Sequence, residues 1–277
     1  MNDNDRNEDP QPTNGGKGTP PPKGNLFREL KAAFLAIWSN LGLVILMSVT
    51  WALFVSFPLS LAYWMPRSLP AVIRYLPLIL MPIFGAIPAV GAAVIAQEIA
   101  SLREATFAVF WREGWRLKAL SIRLSLLHWA TAAALTFSFW FYLRISHWSG
   151  RVALLICFYA SLFWLMMTVY HYPLLAAQES GVFDEPDRKA KRGVAAVIRR
   201  SFYLVVGSPL YSFGLLSFLA LFAALSLFTA VSPILLWGGV FALFSCFPVR
   251  ALLVQYGILP APTLQKKETN AVMRDRK

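Results

Sequence analysis

The sequence predicts an all-α membrane protein, a bundle of six transmembrane helices. Two observations carry this. Only 14% of the 277 residues are charged and 57% are apolar, whereas about a quarter are charged in a soluble domain, so charge is too scarce to cover a water-facing surface. Lys, Arg, Asp and Glu are also absent from five long runs: 32–66, 75–97, 124–143, 152–178 and 201–249. A helix crosses the hydrocarbon core, ~30 Å thick, with about 20 apolar residues. The first four runs hold one crossing each. The fifth has room for two, hinged at Val231-Ser232-Pro233, because proline ends one helix and can open the next.

In chain order, residues 1–25 form a polar tail rich in Asn, Asp, Gly and Pro, with too little apolar area to fold. No basic segment runs directly into a short apolar core, so the first span reads as an uncleaved signal anchor. The transmembrane domain covers 26–258, with spans at 41–62, 76–96, 122–143, 152–175, 204–229 and 233–254. A basic tail follows at 259–277. The second span holds Pro77, Pro82 and Pro88 and is expected to be kinked or partly unwound. Its Gly85, Gly91, Ala92 and Ala93, like Gly207 and Gly214 in the fifth span, leave small faces for close helix packing. Cys157 and Cys246 fall inside apolar runs and read as small buried hydrophobes.

The loops divide into two sets. One carries 22 Lys and Arg with all 14 acids; the other carries Arg67, Arg74, Arg144 and Arg151. The positive-inside rule then places both termini in the cytoplasm, with the chain in the plasma membrane. Tyr63, Trp64, Trp140 and Trp148 fall at the outer boundary and Trp38, Trp111, Trp115 and Tyr172 at the inner one, the depth that amphipathic rings favour. The net charge of +12 is spread between apolar runs. That points to the bilayer and anionic lipid head groups, for instance at Arg188-Lys189 and Lys191-Arg192, and not to nucleic acid.

Each odd-numbered span follows an amphipathic stretch. Phe27, Leu30, Phe34, Ile37 and Leu41 precede the first; Phe107, Phe110, Trp111 and Trp115 precede the third; Val194, Val197 and Ile198 precede the fifth. Such helices lie at the bilayer surface. Each even-numbered span carries a kink-forming proline, Pro88, Pro173 or Pro248, followed within ten residues by Gln97, Gln178 or Gln255. The chain thus divides into three tandem units, each an interfacial helix plus a helical hairpin. The competing explanation is the ordinary alternation of loops in any hairpin protein.

Nucleotide-binding, hydrolase and metalloprotease motifs are absent from the sequence, and no cofactor or metal pattern is found. Intramembrane polar groups are the remaining candidates, because they are costly and often functional. Glu98, Arg123, His128 and His171 all fall in the cytoplasmic half and define a candidate polar pocket near Pro88 and Pro173, with Glu98 paired to Arg123. The bland alternative has Arg123 snorkelling to the interface, Glu98 solvated and each histidine satisfied by a neighbour.

Ile87-Pro88-Ala89, Phe110-Trp111-Arg112, Tyr172-Pro173-Leu174-Leu175 and Arg199-Arg200-Ser201-Phe202 occur in that order. This order over residues 30–258 resembles the YesL-like family of bacterial integral membrane proteins, a domain of unknown function. The resemblance implies an inner-membrane protein encoded near carbohydrate uptake and degradation genes, with no catalytic residues to carry over. The N-tail and the long loop at 179–193 depart from the family pattern. The expected function is a non-enzymatic transport component or small permease for polar solutes such as sugars, with a membrane transport complex as partner. Two alternatives stand beside it: an enzyme or lipid-handling protein using the polar pocket, and a scaffold acting through its cytoplasmic helices.

Overall fold

The computed structural model describes residues 25–66, 68–179, 192–228 and 232–259. The expected polar N-tail up to residue 24, the tail from residue 260, and Arg188, Lys189 and Lys191 lie outside the described residues. Six helices are long and apolar enough to cross a membrane, and among the described residues no strand occurs. The chain is an all-α, polytopic membrane protein.

The amphipathic helices are α1 (Leu26–Ser39), α5 (Phe107–Arg116) and α8 (Val194–Gly207). One residue separates each from the span that follows: Asn40 before α2 (Leu41–Trp64), Leu117 before α6 (Lys118–Leu143) and Ser208 before α9 (Pro209–Leu227). The fifth span therefore starts at Pro209 and not at residue 204, because proline has no N–H to continue α8 into it. A short α3 (Ala71–Tyr75) and a 3-10 segment (Leu76–Leu80) lead into α4 (Met81–Ala100). Pro77 falls in the tightened turn and Pro82 in the first turn of α4, so the 3-10 irregularity of the second span lies at its beginning. The other even spans are α7 (Trp148–Glu179) and α10 (Ser232–Gln255).

The packing is cyclic. The three even spans α4, α7 and α10 touch one another at the centre. Each odd span lies in the groove between its own even span and that of the preceding unit: α2 between α10 and α4, α6 between α4 and α7, α9 between α7 and α10. Each amphipathic helix packs on the preceding unit's even span, with α1 on α10, α5 on α4 and α8 on α7. The three hairpins thus repeat one cyclic pattern of contacts.

The register of burial repeats as well. Positions in the second unit lie 77 residues after those in the first, and positions in the third lie 91 further on, counting from Leu41, Lys118 and Pro209. On that count Ala33, Phe110 and Ser201 coincide, and so do Ile37, Gly114 and Val205; Val44, Ser121 and Ser212; and Met47, Leu124 and Leu215. All twelve residues are buried. The amphipathic helices also turn apolar side chains outward at matching positions, Trp38, Trp115 and Val206, as helices lying in an interface do.

In a bilayer the lipid tails are as apolar as the core, so close packing and hydrogen bonds hold helices together more than the hydrophobic effect does. The α4–α5 contact shows this. A Cβ on Gly91 would lie 2.8 Å from the Phe110 carbonyl oxygen, and one on Gly114 would lie 3.1 Å from the Ile87 carbonyl oxygen. Glycine at both positions lets the two backbones meet.

Candidate functional site

Of the four sequence candidates, the structure brings the two histidines together. The rings of His128 of α6 and His171 of α7 meet edge to edge, with centroids 4.9 Å apart and planes 14° from parallel. His128 Nε2 lies 2.7 Å from His171 Nδ1, and His171 Nε2 lies 3.0 Å from Ser201 Oγ on α8. Ser201 donates its one hydroxyl proton to the Ile198 carbonyl at 2.8 Å, so it accepts from His171. With neutral rings, that fixes the tautomers: His171 carries its proton on Nε2, and His128 donates from Nε2 to His171 Nδ1. Trp164 closes the site edge-on against both rings.

The order Ser201–His171–His128 has the connectivity of a nucleophile, a base and an orienting group. Ser201 and His171 are nonetheless both fully buried, and the serine proton points away from the base. The arrangement is a clamp that ties α6, α7 and α8 together on the side bearing the amphipathic helices.

Glu98 and Arg123 do not join it. After α4 the chain turns sharply at Leu102, whose φ is 57°. Leu102 N–H donates to the Ile99 carbonyl and Arg103 N–H to the Glu98 carbonyl, both at 3.0 Å, which is a Schellman stop. The turn carries Arg103 back over Glu98, and their side chains pair at 3.7 Å. Arg250 of α10 donates to Ser101 Oγ in the same turn at 2.6 Å. Arg123 is exposed, in keeping with a cation reaching for the interface. Among the described residues no group of three or more His, Cys, Asp or Glu is placed to hold a metal ion.

The kink prolines Pro88, Pro173 and Pro248 are all buried, and polar side chains serve carbonyls beside them. Ser121 donates to the Ala86 carbonyl at 2.5 Å, Gln97 to the Pro173 carbonyl at 3.3 Å and Tyr211 to the Pro248 carbonyl at 3.2 Å. Each donor sits on a neighbouring helix. The three proline positions are therefore stitched into the centre of the bundle.

No family model, curated protein or solved structure matches this chain. The reading of its site rests on geometry.

Sequence reasoning missed a cavity of about 430 Å³ enclosed mainly by α7, α9 and α10. Leu165, Val169, Leu219, Ala223, Trp237 and Phe241 are among its walls, and Trp51, Ala89 and Ala93 close its back. It opens between α7 and α9, where its lining residues Leu165 and Ala220 are exposed. Of the three odd spans, α9 packs most loosely on its two neighbours. At the position where α2 carries Trp51 and α6 carries His128, α9 carries Leu219. A smaller side chain in the third seam leaves space that an indole or a histidine pair occupies in the other two.

Proposed function

We propose that this chain is a non-enzymatic, lipid-handling component of the plasma membrane that binds an apolar chain in the α7–α9–α10 cavity. The carrying observation is the chemistry of the lining. Polar side chains in its walls are already engaged: Thr168 donates to the Trp164 carbonyl at 2.8 Å, Ser245 donates to the Phe241 carbonyl, and the Trp237 indole donates to Ser226 at 2.6 Å. A sugar buried there would leave its hydroxyls unpaired, at roughly 1–3 kcal/mol each. A hydrocarbon chain loses nothing on entry, and the volume falls within the ~300–1,000 Å³ usual for ligand sites. The 22-to-4 asymmetry of basic residues supports cytoplasmic termini.

A transport-associated role is the second reading, favoured by the tandem hairpins, since repeated units are common among transporters, and by the YesL-like resemblance. In that reading the chain is an accessory to a transport complex and not itself a sugar pore. Val90, Leu174, Val249 and Leu253 from the three central spans are essentially fully buried in one cluster, which supports a closed centre.

The test is lipid retention. Protein purified in mild detergent should carry lipid detectable by native mass spectrometry. Leu219→Trp, which places in the third unit the residue the first unit uses, should lose that lipid while remaining folded. Lipid retention by this variant equal to wild type would refute the cavity as the site. Labelled-sugar flux in liposomes should be absent; robust flux would instead establish a permease.

A further inference from the structure

The cavity explains where a chain ends and leaves open where its head group sits. On the side of the amphipathic helices the α9 seam is closed by hydrogen bonds. Tyr170 of α7 bonds Ser212 at 2.7 Å, and Ser208 bonds Tyr256 beyond α10 at 2.9 Å. Tyr211 to the Pro248 carbonyl adds a third bond. At the opposite, hairpin-turn side, Trp237 donates to Ser226 at 2.6 Å and joins α10 to α9. Among the described residues no hydrogen bond there joins α7 to α9. The mouth of the cavity lies between α7 and α9 at exposed Leu165 and Ala220, so a ligand enters along α7.

That face of α7 is a continuous track. Arg151 precedes Val169 by eighteen residues, about five turns, so the two share a face. Leu155, Phe158 and Leu165 lie along the same stripe and are 55%, 54% and 51% exposed. From Arg151 to Leu165 the rise is about 21 Å at 1.5 Å per residue. This matches an extended acyl chain lying on the helix with its end in the cavity mouth.

The end of the track is basic. Arg144 stacks on Trp140 at 4.0 Å and Arg74 lies over Tyr75 at 5.1 Å, whereas exposed Arg151 has no hydrogen bond or ion pair among the described residues. The described acids, Glu29, Glu98, Glu104, Glu113 and Glu179, all fall toward the other end of the spans. We infer that Arg151, with the α7 track and the cavity, forms the binding site for an anionic acyl lipid of the hairpin-turn-side leaflet. This inference rests on the reading of the cavity as an apolar-chain site. The guanidinium meets the lipid phosphate, and the tail follows Leu155, Phe158 and Leu165 into the bundle.

The test uses the full chain in mild detergent with equal amounts of dipalmitoyl phosphatidylglycerol and dipalmitoyl phosphatidylcholine, read by native mass spectrometry. The tails are identical, so the ratio retained reports the head group. Wild type should prefer the anionic lipid, and Arg151→Gln should lower that preference about 5-fold, the effect of ~1 kcal/mol for one basic side chain at a membrane surface, with total lipid unchanged. Arg144→Gln should leave the ratio alone. An unchanged ratio in Arg151→Gln, or an equal drop in Arg144→Gln, overturns the head-group site and leaves the cavity standing. Failure of the cavity itself shows differently, as full retention of both lipids by Leu219→Trp.

Discussion

The histidine clamp makes a quantitative demand on stability. Replacing His171 by Leu removes two hydrogen bonds, to His128 at 2.7 Å and to Ser201 at 3.0 Å. Ser201 keeps its bond to the Ile198 carbonyl, so the unpaired donor left behind is His128 Nε2–H. A buried polar group stranded this way costs about 1–3 kcal/mol, and His171→Leu should fall in that range. His128→Leu removes one of these bonds and strands the His171 Nδ1 acceptor instead, and should cost about 1 kcal/mol. The double variant has no stranded partner and should be little worse than His171→Leu alone. The coupling energy should then be about 1 kcal/mol, inside the ceiling of roughly 1.7 kcal/mol measured for polar pairs between membrane helices. The assay is equilibrium unfolding in mixed micelles, or steric trapping in bicelles, on all four proteins. Single effects that add to within ~0.3 kcal/mol would refute the clamp, because each ring would then be satisfied independently of the other.

Two further outcomes follow from the backbone. Leu102 stops α4 in the left-handed region, while Gly257 stops α10 with φ 70° and the same bond pattern; Leu102→Gly should therefore stabilise by about 1 kcal/mol, visible as a higher thermal midpoint, and a lower midpoint would count against strain at Leu102. Gly91→Ala should destabilise by about 1–3 kcal/mol, since its Cβ meets the Phe110 backbone at 2.8 Å. Gly42→Ala meets nothing within 4 Å and should gain up to ~1 kcal/mol; the two changes moving together would show that helix propensity, not contact, governs both.

The spans were legible because exclusion of charge from hydrocarbon is severe and writes itself into 20-residue runs. The tandem units were half legible. Pro88, Pro173 and Pro248 mark the even spans, but their spacings of 85 and 75 residues differ from the 77 and 91 that align the odd ones. The reason is hairpin length: α6 and α7 have 26 and 32 residues, whereas α9 and α10 have 19 and 24. The constant register lies in the one-residue breaks at Asn40, Leu117 and Ser208, which look unlike one another as residues. His128 and His171 were visible as polar groups at membrane depth. Their meeting depends on how α6 crosses α7, and the turn at Leu102 that takes Glu98 away depends on a backbone angle that leucine rarely adopts. The cavity was hidden because a missing side chain leaves no mark until Leu219 is set beside Trp51 and His128.

The unequal hairpins have a mechanical consequence. The charge-free run of α7, residues 152–178, is about 40 Å long as a helix, whereas the 19 residues of α9 reach about 28 Å. A hydrocarbon core of ~30 Å fits α9 upright and leaves about 10 Å of apolar α7 to be taken up by tilt or by local thickening of the bilayer. Two neighbours of such different length cannot both match one bilayer thickness. Thicker membranes reduce the mismatch of α7 and increase that of α9, and thinner ones do the reverse, so lipid chain length outside the bundle bears on the seam between these two helices.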